Sequence, residues 1–167
     1  MTIYWPGNAA VFGLCEGRIQ GFEGFSATPY RDSAKIPTIG YGTILYPNGR
    51  TVTMADAKIS KDYAAQCLEF QMTQKAAVIS THLTCTPSVH QAAAMLSLTY
   101  NIGTGAFIGS TVLKQFNGRK FQAAADAFLL WDKAVVDGKL VVVPGLLARR
   151  KEESEIFLTP DDGAAMV

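Results

Sequence analysis

One change of local chemistry constrains this chain more than anything else in it. From Pro29 to Val52 a run of β-branched and aromatic residues interrupts a text that is otherwise helical, and it is densest in Thr38-Ile39-Gly40-Tyr41-Gly42-Thr43-Ile44-Leu45-Tyr46. Such residues fit a pleated surface, and Pro47-Asn48-Gly49 supplies a turn. The expectation is a small antiparallel sheet near the N-terminus of a mostly helical chain, which places it in the α+β class.

On either side the spacing is helical. Asn8 can cap a helix through Phe12, Glu16, Ile19 and Phe22 toward Glu23. Gly13, Gly17 and Gly21 weaken it by about 1 kcal/mol each relative to Ala. Their spacing of four fits either close helix packing or no role at all. Thr53, with Asp56 three residues on, predicts the start of a long helix through Ile59, Tyr63, Cys67 and Phe70 to Val78. Thr84 to Pro87 break that pattern. Ser88 to Tyr100, carrying Ala92, Met95 and Leu96, predicts a helix central to the core. Ser110 to Asn117 and Phe121 to Trp131 predict two more, and Gly103 to Gly109 reads as a turn between helices. Val135 to Val143 predicts a hairpin on an Asp137-Gly138 turn, and Leu146 to Leu158 a last, charged helix.

At 167 residues the chain has the size of one domain. Such a chain buries roughly 70% of its unfolded surface and needs no staple. A hydrophobic fraction of 49% against 17% charged excludes disorder. A net charge of +1 lacks the basic footprint of a nucleic-acid binder. Cys15, Cys67 and Cys85 are too few, and odd in number, for a disulfide framework. The apolar stretch from Ala9 to Cys15 is well short of the ~20 residues that span a bilayer. Met1 to Gly7 has no basic n-region, and Pro6-Gly7 breaks any apolar one. Neither stable membrane insertion nor a signal peptide is therefore expected.

The chemistry concentrates around Glu23, an acid between Phe22 and Phe25 at the end of a helix. Partial burial there favours the protonated form. Asp32 follows after eight intervening residues, and Thr38 after five more. An acid, a carboxylate and a hydroxyl at a helix–sheet junction suit glycoside hydrolysis, in which one carboxyl protonates the leaving oxygen and another activates water. Acids beside turns are common, however, and this set alone leaves a structural reading open. Other clusters carry less. His82, Cys85 and His90 have an unorthodox spacing for a metal site and read as helix ends and core. Gly103 to Gly109 has the wrong glycine spacing for a phosphate loop. Arg149-Arg150-Lys151 with Glu152-Glu153 reads as a solvated helix face.

Order and spacing then add a resemblance. Glu23-Gly24, Tyr30-Arg31-Asp32 and Pro37-Thr38-Ile39-Gly40-Tyr41-Gly42 resemble the signature of phage-type lysozymes, glycoside hydrolase family 24. Tyr100-Asn101-Ile102-Gly103, Gly109 to Leu113, Phe128 to Trp131 and Gly145 to Arg150 with Glu152 are similar to its later motifs, so that the likeness runs from about Ile19 to Leu158. It implies a single lysozyme-like, two-lobed domain over residues 1–167, with a small β-containing lobe at about 19–60 and a C-terminal helical bundle at about 75–160. It implies an endolysin that hydrolyses the β-1,4 bond between N-acetylmuramic acid and N-acetylglucosamine in peptidoglycan. Glu23 would be the general acid, and Asp32 and Thr38 would position the attacking water. Tyr100 and Asn101 would contact sugar. Arg149 would orient Glu23 as a charge partner, competing with burial over its proton. The family inverts configuration, which asks for carboxyls ~6.5–9.5 Å apart.

The resemblance also implies a monomer acting on glycan strands without metal or cofactor, held in the host cytoplasm until a membrane lesion releases it. Three departures stand out. Ser33-Ala34-Lys35-Ile36 holds no glycine where many members have one, and a left-handed residue there would be strained. Thr43 stands where members often carry His. The chain is nearly neutral where many endolysins are basic. Two other readings compete: a lysozyme-fold binding module without hydrolysis, and a lytic transglycosylase. The Asp32–Thr38 water site disfavours the latter.

Overall fold

The structure, a computed structural model, describes residues 8–161. The reading of Met1 to Gly7 therefore lies outside the described residues. Helix α1 (Ala9–Glu23) begins at Asn8, whose side-chain oxygen accepts from the Ala10 and Val11 amides. A Cβ built on Gly13, Gly17 or Gly21 would meet nothing within 4 Å, so their spacing serves no close helix packing.

The sheet is shorter and more broken than its sequence suggests. Strand β1 (Ser26–Arg31) starts ahead of Pro29 and pairs antiparallel with β2 (Pro37–Gly40), Tyr30 opposite Thr38. An irregularity between Ser26 and Tyr30 accommodates Pro29 on a strand with a free edge. Of the β-rich stretch from Thr38 to Tyr46, only the part up to Gly40 lies in a strand. Gly40 and Gly42 take φ of 66° and 92°, which turns the backbone, and only the isolated bridges Ile39–Thr43 and Leu45–Thr51 continue it. Gly40 is required twice over: a Cβ there would also stand 3.0 Å from the Ala64 Cβ.

The long helix does not start at Thr53. Asp56 is taken up by Tyr46, Arg50 and both donors of Thr53, and so closes the loop instead of opening a helix. Helix α2 (Lys61–Ser80) begins instead at Ser60, whose hydroxyl oxygen accepts from the Tyr63 amide. Helix α3 (Val89–Ile102) opens with a capping box between Ser88 and Gln91. Gly103 to Gly109 is not a simple turn, because the short helix α4 (Thr104–Ile108) fits there to bury Phe107. Helices α5 (Thr111–Asn117) and α6 (Phe121–Phe128) follow, and a 3-10 turn at Leu129–Trp131 ends the latter early. Strands β3 (Lys133–Val136) and β4 (Lys139–Val142) form the expected hairpin, with Asp137 and Gly138 both at positive φ. Helix α7 (Pro144–Leu158) completes the order.

Two cores result. In the larger, α3 buries Ala92, Ala93, Ala94, Met95, Leu96 and Leu98 against α1, α2 and α7, its alanines allowing close approach. The smaller joins the sheet to α2 through Ile39, Tyr46, Val52 and Cys67. The end of α1 thus meets the sheet on one side and α3 and α7 on the other. The α+β architecture is the expected one, mostly helical with two small antiparallel sheets.

Candidate active site

Glu23 is the last residue of α1, and Gly24 ends the helix at φ 68°. Its Oε1 accepts from an Arg149 NH group at 2.6 Å, and 23% of its side chain is exposed. Arg149 stacks its guanidinium 4.7 Å from the centre of the Phe22 ring and also donates to the Ser97 carbonyl. Its Nε donates to Glu153 Oε1, which accepts from the Ser97 hydroxyl as well. Arg150 Nε lies 2.9 Å from the other oxygen of Glu153. The result is a chain of alternating charges, Glu23–Arg149–Glu153–Arg150, of which only Glu23 reaches solvent to any extent.

The expectation of a solvated face is therefore corrected for Arg150 and Glu153, which are buried as Arg149 is, whereas Lys151 is exposed. A helix places residues four apart on one face, and Arg149, Glu153 and Phe157 share the face that α7 turns to the core. Burial lowers the Arg150 pKa to about 10 and pushes the Glu153 carboxyl up, while Arg150 and Arg149 pull the latter back. Glu153 and Ser97 were missed in the sequence, and the available signal was Phe157 at the end of that stripe.

The other half of the site is built locally. Asp32 Oδ1 accepts from the Ala34 and Ile36 amides, and the Asp32 amide donates to the Ile36 carbonyl. This holds the glycine-free turn tight with Lys35 at φ 66°, the left-handed position expected to be strained. The turn keeps its path because Asp32 over-determines it. Thr38 is buried on β2 and donates to the Ile36 carbonyl, which leaves its lone pairs as the acceptors.

Tyr30, opposite Thr38, links the halves. Its pKa is raised by burial, then by the Glu23 and Asp32 carboxylates. A depression of about 290 Å³ is lined by Glu23, Gly24, Phe25, Ser26, Tyr30 and Gly40. Asp32 and Thr38 stand outside that lining. Tyr100 donates to the Tyr41 carbonyl, and its phenol is held far above its ordinary pKa by burial, then by Glu23. A side chain at Gly42 would sit 3.6 Å from the Tyr100 hydroxyl and 3.8 Å from Glu23 Oε2, so a glycine keeps that space open. Asn101 is exposed on the last turn of α3.

The remaining sequence candidates separate. His82 contacts Thr81 and Val78, Cys85 the Phe116 carbonyl, and His90 the Asp161 carboxylate. Thr43 keeps its hydroxyl buried without a hydrogen-bond partner among the described residues.

Comparison with known proteins identifies the family and the fold. Residues 20–153 match the phage lysozyme family. The endolysin of Salmonella phage P22 is 38% identical over 142 residues, 85% of this chain and 93% of that protein. Among solved structures, the endolysin from Escherichia coli O157:H7 phage FAHEc1 superposes with a TM-score of 0.80 at 35% identity, covering 92% of this chain and 96% of that one. The muramidase domain of SpmX from Asticaccaulis excentricus does so with a TM-score of 0.77 at 27% identity, over 94% and 99%. With the family matched along most of its length and the fold shared, this chain belongs to the phage lysozyme family and is a lysozyme-type glycoside hydrolase.

Proposed function

We propose that the protein is a muramidase that cleaves the β-1,4 bond between N-acetylmuramic acid and N-acetylglucosamine in bacterial peptidoglycan, with inversion. The observation that carries this reading is the state of Glu23. One of its oxygens is fixed by Arg149, and the other faces the space kept open at Gly42, at the rim of a depression. In this scheme Glu23 gives its proton to the glycosidic oxygen as that bond breaks. A water attacks the anomeric carbon from the opposite face, and Asp32 takes the proton it loses. Asp32 Oδ1 is committed to the turn, which leaves the second oxygen for the water, and the Thr38 lone pairs accept from the same water. Tyr100 and Asn101 border the sugar path.

The relatives named endolysins support lysis of a host cell as the outcome. Among the described residues no helix is long and apolar enough to cross a membrane. The deciding experiment is digestion of purified peptidoglycan by wild type and Glu23→Gln, with products read by mass spectrometry. Wild type should release muropeptides with reducing-end muramic acid, and Glu23→Gln should lose about 10²–10⁴-fold in rate. Anhydro products would move the reaction to a lytic transglycosylase. Binding without release would make the chain a wall-binding module.

A further inference from the structure

A second groove, of about 270 Å³, lies between the loop after Gly42 and the middle of α2. Ile44, Leu45, Phe70 and Val78 form apolar walls, and Gln71 and Lys75 reach in from α2. Lys75 is the only charged side chain in the lining. Among the described residues no carboxylate pairs with it, and no hydrogen-bond acceptor meets its ammonium. Its one close partner is the Tyr100 ring, whose centre lies 5.5 Å from Nζ. Burial alone lowers its pKa. Gln71 adds a second unmet donor, a buried Nε2 without a partner.

A half-buried ammonium gives up part of its hydration, and among the described residues no counter-ion offsets that loss. A groove whose one charge is positive, with an orphan amide donor beside it, is complementary to an anion with apolar neighbours. Its position specifies which one. Tyr100, under Lys75, is the residue whose hydroxyl adjoins Glu23 across Gly42, and Ile44 and Leu45 continue the same loop. The groove shares no lining residue with the depression at Glu23, and Tyr100 and the loop after Gly42 are what connect the two.

We infer that Lys75 receives a carboxylate carried by the substituent of muramic acid, and so is a specificity-determining residue. This rests on the muramidase reading. Two sources offer that group: the lactyl ether itself when unsubstituted, and the stem peptide joined to it.

The test compares wild type, Lys75→Met and Lys75→Arg on three preparations. These are glycan strands with intact stem peptides, strands trimmed to the free lactyl acid by an amidase, and strands with their carboxyls converted to neutral amides. On carboxylate-bearing strands Lys75→Met should raise KM about tenfold with kcat within about twofold, and Lys75→Arg should recover most of it. On neutralised strands the gap between wild type and Lys75→Met should close. An effect on intact strands alone assigns the stem peptide, and one that persists on trimmed strands assigns the lactyl acid. Lys75→Met should melt no lower than wild type, because it removes a desolvated charge.

An equal KM change on neutralised strands, a change in kcat alone, or no change overturns the inference. If wild type releases no reducing ends from any strand, the muramidase reading has failed. Cosedimentation of Glu23→Gln, with and without Lys75→Met, then decides the groove independently. Retention of carboxylate-bearing strands that requires Lys75 upholds the carboxylate site, and equal retention removes it.

Discussion

The two halves of the proposed catalytic centre are held by opposite means. Glu23 is fixed from across the molecule: its partner Arg149 is 126 residues away, and Arg149 is braced in turn by Ser97 and Glu153 in the interior. Asp32 and Thr38 are fixed by their own neighbours, through hydrogen bonds spanning two to four residues, exposed at Asp32 and partly buried at Thr38. The difference follows from what each half is assigned to do. An acid that must present one oxygen to the substrate needs its other oxygen pinned by something rigid, which the buried charge chain supplies. A water-binding turn needs only the correct local shape. The buried half is accordingly the costly one to disturb.

The sharpest way to break the comparison is to remove the brace. Glu153→Ala leaves the buried Arg150 without its anion and Arg149 with Glu23 alone. It should destabilise the protein by about 3–5 kcal/mol in urea unfolding. A loss under about 1 kcal/mol would mean that the ladder is not what holds Arg149. Restoring neutrality with Arg150→Met in the same protein should recover part of the stability, because one unpaired charge is gone.

The local half should tolerate change. Lys35→Gly relieves a left-handed lysine at φ 66° while loosening the unfolded chain. The expected result is a gain below about 1 kcal/mol, with muramidase rate unaltered. A large loss of activity would show that the turn is held by more than Asp32.

Asp161 separates distance from burial as the cause. It reaches back to cap α3 at the Val89 and His90 amides and pairs with the His90 ring at 2.7 Å, contacts as distant in sequence as those of Arg149 but partly exposed. Burial pulls its pKa upward, yet the bonds from Val89 and His90 outweigh that and hold it below the ordinary carboxylate value. A depressed pKa contributes stability above the ordinary value, and that contribution is lost as pH falls through the folded one. Melting followed from neutral to acid pH should therefore show a small acid-dependent loss that Asp161→Asn removes. An effect as large as that of Glu153→Ala would make sequence distance, not burial, the decisive variable.

Much of the fold was legible. Asn8 and Asp137-Gly138 act through side chains and backbone angles within a few residues, and each stands where it was read, as does the helix from Ser88, whose capping box with Gln91 the structure added. Asp56 was misread by the same local logic, because Tyr46 and Arg50 compete for the carboxylate that was assigned to a helix start. Gly40 was read within the sheet and lies at the end of β2, but its close approach to Ala64 involves another element.

The sequence by itself determined the order of elements and the Glu23–Asp32–Thr38 spacing, both of which rest on short-range geometry and carry the family likeness. Only the tertiary structure decided that Arg150 and Glu153 are buried, and that Lys75 has no counter-ion among the described residues. Whether a charged residue lies in water, against its opposite or alone depends on what packs over it. For these residues that partner comes from another helix, or from a face of their own helix that only packing reveals as buried.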